Sequence, residues 1–163
     1  MSELDYIKKK RSDVDVIPAK IVPFVRAMMK FYTRLNVWVF KKSNGRLMNK
    51  FPGGAPICLV GMTGRKSGLR REVMLIHLPQ GDNKLLVASQ GGLDADPVWF
   101  KNIMDNPRVD ITANGVKKDY AVRQASSEEK RALWPHLLSL YPDFDEYQAR
   151  TDRDIPVLIC EPV

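Results

Sequence analysis

The spacing of short apolar segments constrains the fold of this chain more than any other feature of its sequence. Six segments of strand length are separated mainly by turn signals, without the regular strand–helix alternation that a parallel sheet requires. Asn114-Gly115 between two of them is a strong β-hairpin signal. The pattern therefore favours an α+β, mainly β architecture: a mostly antiparallel barrel with peripheral helices. The predicted strands span residues 57–62, 73–78, 84–89, 109–113, 117–123 and 156–160.

Helix signals lie on both sides of these strands and between them. Asp96, followed by a proline, is expected to cap one helix, and Ser126 with Glu129 three residues later forms a capping box for another. One predicted helix begins after Pro23, and three others span about residues 97–105, 126–140 and 144–150.

Length and composition indicate one globular domain. The chain has 163 residues, of which 44% are hydrophobic, enough for a sizeable core. Residues 1–20 are polar and basic and are predicted to form a flexible arm, with a single domain at 21–163. The N-terminus lacks the apolar core of a signal peptide, so a cytoplasmic location is expected. Cys58 and Cys160 lie in apolar segments, which favours core positions, and a disulfide between neighbouring strands stays open.

A glycine-rich cationic segment, residues 61–71, joins the first two predicted strands and is called the cationic loop below. Its three glycines permit tight turns that expose backbone N–H groups. Together with the positive charge, those groups suit a phosphate or carboxylate ligand, although a solvated basic turn is an equal alternative. The net charge of +7 agrees with any polyanionic partner: nucleic acid, anionic lipid or an acidic small molecule. The four cations are Arg65, Lys66, Arg70 and Arg71.

The first predicted helix is amphipathic. An apolar row steps along one face by three and four residues, and basic residues fall on the other side. One interpretation packs this helix on the domain, and the other lays residues 24–42 on an anionic membrane surface. The apolar row is Phe24, Met28, Phe31, Leu35 and Trp38, and the basic residues are Arg26, Lys30, Arg34 and Lys41.

No familiar catalytic motif appears in the sequence. His77 and His136 lack a second ligand at metal spacing, so no metal site is predicted. There is no Gly-x-Ser-x-Gly, P-loop or dinucleotide-binding motif. If the chain is an enzyme, a cofactor is therefore expected to supply the reactive group.

Three further segments are candidate site elements, each with a plainer structural alternative. The double-glycine turn, residues 89–92, follows a strand and either receives a flat polar ring or is an ordinary loop. Val98-Trp99-Phe100 with Asn102 either covers a cofactor or packs in the core. Tyr141, Phe144 and Tyr147 either wall a pocket for a planar substrate or form an aromatic core stripe.

In their order along the chain, these motifs resemble the deazaflavin-dependent nitroreductase family. The similarity covers about residues 31–162. The matching segments are Thr63-Gly64-Arg65-Lys66-Ser67-Gly68 with Arg71, Ala88-Ser89-Gln90-Gly91-Gly92, Asp96-Pro97-Val98-Trp99-Phe100-x-Asn102, Trp134-Pro135, Tyr141-Pro142, Tyr147-Gln148, Thr151-Asp152-Arg153 and Ile155-Pro156.

The resemblance implies a split β-barrel that binds reduced coenzyme F420, whose tail bears a phosphate and several glutamates. It implies hydride transfer to an electron-poor acceptor, a quinone or a nitroaromatic compound. Solvent, Ser89 and a tyrosine, Tyr147, are the candidate proton sources, and the sequence does not decide among them. The implied tail contacts are Arg65, Lys66, Ser67 and Arg71. The implied ring contacts are Val87, Ala88, Ser89 and Gln90, and the groove is closed by Val98, Trp99, Phe100 and Asn102.

Departures from the family pattern bear on the acceptor. Phe144 and Ile76 stand where the nitroimidazole-activating branch has tyrosines, and Gln90 stands where it has a lysine. The implied substrate residues are Ile76, Tyr141, Phe144 and Tyr147, and a quinone is the expected acceptor. Because quinones reside in membranes, the resemblance makes peripheral attachment to the inner face of the cell membrane an equal alternative to packing of this helix on the domain.

Two alternatives to this function stay open. One is a split-barrel oxidoreductase that uses FMN, which also offers a phosphate. The other is a basic nucleic-acid-binding module, which the charge favours but for which no recognised motif appears, so no nucleic-acid partner is expected.

Overall fold

A computed structural model describes residues 5–15, 18, 20–51 and 53–163. Seven strands and four α-helices lie within these residues. The strands are β1 (Ile57–Thr63), β2 (Arg70–Ile76), β3 (Leu78–Gln80), β4 (Asn83–Val87), β5 (Arg108–Ala113), β6 (Val116–Gln124) and β7 (Val157–Pro162). The helices are α1 (Val22–Lys42), α2 (Val98–Asp105), α3 (Ser127–Leu140) and α4 (Asp143–Arg150), with 3-10 turns at Arg11–Asp13 and Gln90–Gly92.

The strands form one antiparallel sheet in the order β2-β1-β5-β6-β7-β4-β3. β2 and β3 lie at opposite edges of this sheet, yet only His77 separates them in the chain. The sheet must therefore curl until its edges approach, which gives a split β-barrel of α+β class and confirms the predicted architecture. The predicted strand 73–78 was wrong as a single strand. It divides at His77 because β2 pairs with β1, whereas β3 pairs with β4.

One hydrophobic core fills the barrel. Val60, Ile111 and Leu158 contribute from the sheet, and α2 inserts Phe100 and Ile103. Both cysteines belong to this core as buried free thiols, which confirms their predicted core positions. Burial raises the pKa of the Cys160 thiol to about 12.

A second core lies on the other side of β4 and β7, under α3 and α4. Successive residues of a strand face opposite sides, so Leu86 enters the barrel while Leu85 packs with Trp134 and Phe144 of the helices. The capping box predicted for α3 is present, with the Ser126 hydroxyl accepting from the N–H of Glu129. The two cores fix α4 against the same strands that line the barrel.

Part of the predicted N-terminal arm contacts this second core. The Tyr6 ring packs edge-on against Trp134 at 5.3 Å, and the N–H groups of Lys8 and Lys9 donate to the Asp145 carboxylate at 3.0 and 2.7 Å. Residues 1–4, 16, 17 and 19 of the arm lie outside the described residues. The division into an arm and one domain stays a prediction.

The apolar row of α1 does not pack on the domain, so that interpretation was wrong. Phe24, Phe31 and Trp38 are 67%, 72% and 60% exposed. Among the described side chains of α1, only Asn36 and Phe40 are buried. The helix docks through this other face near its C-terminal end, because helical periodicity identifies an apolar row without identifying the surface that covers it.

Candidate active site

The cationic loop forms a closed turn between β1 and β2. The N–H of Gly64 donates to the carbonyl of Leu69, and the N–H of Gly68 donates to that of Gly64, both at 2.8 Å. Glycine is favoured at both ends. A Cβ on Gly64 would lie 2.9 Å from Ser67 Oγ, and Gly68 has φ +66°. The tight turn exposes the side chains between its ends.

The four cations of the loop have different partners. Arg70 donates to both carboxylate oxygens of Asp110, at 2.6 and 2.8 Å, and to Glu72 at 3.3 Å. These contacts hold the pKa of Asp110 below its ordinary value. The charge of Arg70 is therefore neutralised within the fold. The other three cations, Arg65, Lys66 and Arg71, are exposed and form no ion pair with a described residue.

The side chain of Asn102 connects the cationic loop to α2. Asn102 is buried, and its Oδ1 accepts the backbone N–H of Arg65 at 3.1 Å. Phe100 and Ile103 anchor the same helix in the barrel core. The loop thus has a fixed position at the barrel, although its charged side chains are exposed.

The double-glycine turn after β4 has an unusual backbone and an unpartnered acceptor. Gln90, Gly91 and Gly92 all have positive φ, at 46°, 66° and 81°. The Oε1 of Gln90 is buried and accepts no hydrogen bond from a described residue. Because buried polar atoms are rarely left unsatisfied, this atom suits a donor on a bound ligand.

Arg153 holds the residues around this turn. Its guanidinium donates to the carbonyls of Ala88, Ser89 and Leu93 at 2.9, 2.9 and 2.8 Å, and to Asp96 at 3.0 Å. Asp96 was predicted to cap α2, and that prediction was wrong. The N-cap is Pro97, without a side-chain cap, because the Asp96 carboxylate turns to Arg153 instead. Sequence reasoning missed this role of Arg153, since its partners lie about 60 residues away in the chain.

The predicted substrate residues come together in the second core. Tyr141 and Phe144 are buried, while Ile76 and Tyr147 lie partly buried at its margin. The hydroxyls of Tyr141 and Tyr147 are 2.9 Å apart. Burial, and then the contact with Tyr147, raises the pKa of Tyr141. We call these four residues, three aromatic side chains and Ile76, the aromatic wall.

The remaining predicted cofactor residues are divided between the two cores and the surface of α2. Ala88 and Phe100 are buried in the barrel core and Val87 in the second core. Val98 is exposed and Trp99 half-buried on α2. Within the described residues, no group of three His, Cys, Asp or Glu side chains is placed to hold a metal ion.

Comparison with known proteins identifies the family. The family model described as F420H(2)-dependent quinone reductase matches residues 32–162. The chain belongs to the F420H(2)-dependent quinone reductase family. The Mycobacterium tuberculosis protein named F420H(2)-dependent quinone reductase Rv1261c is 31% identical over 129 residues, covering 77% of this chain and 87% of that protein.

Solved structures agree with this family. A structure described as F420-H2 dependent reductase FDR-A has a TM-score of 0.61 and 37% identity, covering 65% of this chain and 94% of that one. Another, described as a domain-swapped dimer, has a TM-score of 0.63 and 32% identity, covering 76% of this chain and 97% of that one.

The site fits what an F420H(2)-dependent quinone reductase requires. Three loop cations have no ion-pair partner in the part of the chain that the structure describes, which suits an anionic cofactor tail. The Gln90 Oε1, which accepts no hydrogen bond from those residues, suits a donor on a polar ring. The family is one of oxidoreductases, and the reactive hydride in such enzymes belongs to the cofactor.

Proposed function

We propose that this oxidoreductase transfers a hydride from reduced coenzyme F420 to a quinone. The observation that carries the proposal is the division of charge in the cationic loop. Asp110 and Glu72 neutralise Arg70, whereas Arg65, Lys66 and Arg71 have no ion-pair partner among the described residues and would hold the phosphate and glutamates of the tail. Arginine suits such ligands because its planar fork donates two hydrogen bonds to one oxyanion.

The double-glycine turn would hold the deazaflavin ring. The Ser89 hydroxyl and the Gln90 side chain would offer the ring polar groups, and Trp99 of α2 would help to close the cofactor groove. When bound, the reduced cofactor supplies the hydride. The role of the protein is then to bind and orient the ring and to exclude water.

The aromatic wall would receive the acceptor. Phe144 and Ile76 present no polar group, which suits a flat, apolar quinone better than a nitroimidazole. Tyr147 is the partly buried tyrosine of this wall, and its hydroxyl lies 2.9 Å from that of the buried Tyr141. Tyr147 would donate a proton to the reduced acceptor, with Ser89 as the second candidate.

The test is titration of reduced F420 into the wild type and three variants, followed by quinone reduction. Lys66→Ala and Arg71→Ala should each weaken F420 affinity by about tenfold or more, since each removes a charged hydrogen bond. Arg70→Ala is the matched control, because it removes the same charge from the same loop. It should change the affinity by less than about twofold.

Two results would contradict the proposal. One is an absence of F420 binding by the wild-type protein, especially if FMN binds instead. The other is an equal loss of affinity in Lys66→Ala and Arg70→Ala, which would mean that only net charge matters.

We further propose that α1 rests on an anionic lipid surface at the inner face of the membrane. Phe24, Phe31 and Trp38 lie on one exposed face of the helix. Residues 16–71 contain twelve Lys and Arg and no Asp or Glu, so this part of the chain would attract anionic headgroups and repel a second copy of itself. No helix among the described residues is both long and apolar enough to cross a bilayer.

Vesicle cosedimentation tests this attachment. The wild type should sediment with phosphatidylglycerol vesicles and much less with phosphatidylcholine vesicles. The double variant Phe31→Ser, Trp38→Ser should lose most of this binding. Val116→Ser, which changes an exposed apolar residue at a hairpin, is the control and should bind as the wild type does.

Self-association is the competing explanation for the exposed face of α1, since one related structure is described as a domain-swapped dimer. Sedimentation velocity without lipid distinguishes the two. A dimer that the double variant abolishes, together with no vesicle binding, would contradict the membrane proposal.

A further inference from the structure

The guanidinium of Arg153 bonds four residues on the two sides of the double-glycine turn: Ala88, Ser89, Leu93 and Asp96. We infer that Arg153 is a positioning residue, which holds the double-glycine turn so that Ser89 and Gln90 are presented to the cofactor ring. This inference rests on the proposed function, because it assumes that the ring binds at this turn.

The contacts of Arg153 span the turn from both sides. Nη2 bonds the carbonyls of Ala88, which precedes the turn, and of Ser89, which begins it, while Nε bonds that of Leu93 and Nη1 bonds Asp96, which follow it. The side chain of Arg153 is only 14% exposed, so water competes little for these bonds. A lysine cannot replace this arrangement, because one ammonium group cannot reach acceptors on both sides of the turn.

The turn has few hydrogen bonds of its own. They are Gly92 N–H to Ser89 at 2.9 Å and Leu93 N–H to Gln90 at 3.4 Å. Outside the turn, α4 supplies the packing contact with Gly92 and one bond, from Arg150 Nη1 to the carbonyl of Gly91 at 3.4 Å. Gln90 adopts a left-handed conformation that is unfavourable for a residue with a side chain. The four bonds from Arg153 are therefore a large share of what keeps the turn in this conformation.

Arg153 also links the double-glycine turn to α4 through its position in the chain. It follows α4, which contributes Tyr147 to the aromatic wall, and Thr151 nearby donates to Asp94 at 2.8 Å. The segment after α4 thus ties the cofactor turn to the element that forms the acceptor wall. In this arrangement Arg153 contacts neither the cofactor nor the acceptor and acts through the backbone of the turn.

The experiment measures the turn without cofactor and then with it. Amide hydrogen exchange of Gly92 and Leu93 is followed by NMR in the cofactor-free protein, with β1 amides as the reference for global unfolding. Arg153→Ala should raise exchange at these two amides by about tenfold or more relative to β1, and Arg153→Lys by less. Arg123→Ala, which removes an exposed arginine that pairs with Glu129 and Glu161, should change neither amide.

Reduced F420 is then titrated into the same proteins. Arg153→Ala should weaken the affinity by about tenfold or more, whereas Lys66→Ala should weaken it without changing exchange in the turn. If Arg153→Ala does not fold, amide exchange in the turn and F420 affinity are measured on Arg153→Lys, and those two measurements test the inference.

Unchanged exchange at Gly92 and Leu93 in a folded Arg153 variant would overturn the inference. Faster exchange with unchanged F420 affinity would overturn it as well, because the turn would then not receive the ring. Failure of the wild type to bind F420 would refute the proposed function, and with it the role of the turn in presenting Ser89 and Gln90 to the ring. The exchange data would still show whether Arg153 holds the turn.

Discussion

Arg70 and Arg71 are neighbours in the sequence with opposite roles in the structure. Successive side chains of β2 face opposite sides of the sheet. Arg70 is bonded to Asp110 across β1, and a Cβ on the intervening Gly61 would lie 2.3 Å from the Arg70 guanidinium. Arg71 pairs in register with Met62, whose side chain enters the barrel core. At the scale of single residues, the side of the strand determines which charge is available to a ligand.

The source of the proton in quinone reduction is also a question at the scale of single residues. Tyr147→Phe should lower kcat for quinone reduction by about tenfold or more and leave the F420 affinity unchanged, because the variant loses only the hydroxyl at the acceptor wall. Steady-state kinetics combined with F420 titration check both values.

Ser89→Ala is the companion variant for that measurement. A loss of kcat in Ser89→Ala with none in Tyr147→Phe would assign the proton to Ser89. No loss in either variant would mean that solvent supplies it.

At the scale of elements, the double-glycine turn packs directly on the backbone of α4. A Cβ on Gly92 would lie 2.6 Å from the carbonyl oxygen of Tyr147 and 2.8 Å from Arg150 Cβ. A Cβ on Gly91 would meet no atom within 4 Å. The two adjacent glycines share a positive φ, so they differ mainly in this contact with α4.

The pair permits a matched test of that packing. Gly91→Ala should lower the free energy of unfolding by about 1 kcal/mol through backbone strain alone. Gly92→Ala should lower it by about 3 kcal/mol or more, since overpacking against α4 is added. Urea unfolding measures both, and equal losses would show that the contact with α4 is easily relieved.

At the scale of the whole molecule, His77 lies where the barrel closes. It is the single residue between the two edge strands, it is 5% exposed, and its Nδ1 has no partner among the described residues. Burial, with the charge of Lys84 adding to it, lowers the pKa of His77 from 6.5 to about 4. The folded protein therefore resists protonation of His77 and the unfolded chain does not.

This difference predicts how stability depends on pH. The unfolded state binds more protons between pH 6.5 and about 4, so stability is full above pH 6.5 and falls as the pH drops through this window. His77 should contribute a loss of about 2 kcal/mol between about pH 7 and about pH 5. Urea unfolding of His77→Gln should show an acid loss smaller by that amount.

An unchanged acid loss in His77→Gln would contradict the assignment of this loss to His77.

The sequence predicted local features well where a residue acts on its neighbours in the chain. The capping box of α3, the hairpin at Asn114-Gly115 and the closed cationic loop depend on bonds between residues a few positions apart. The proposed cap of α2 failed because Asp96 had a stronger partner in Arg153, 57 residues away. The apolar row of α1 was identified correctly as a row, but its exposure depended on where the helix docks.

By itself, the sequence determined most of the strand segments, the antiparallel class and the glycine-rich cationic turn, because alternation, turn chemistry and charge act over a few residues. Only the tertiary structure decided which loop cations are neutralised, that Asn102 holds the loop, and that Arg153 clamps the double-glycine turn. These contacts depend on the order of the strands in the sheet and on where α2 and the segment after α4 pack. Such packing brings together side chains far apart in the chain, and no local pattern encodes those pairings.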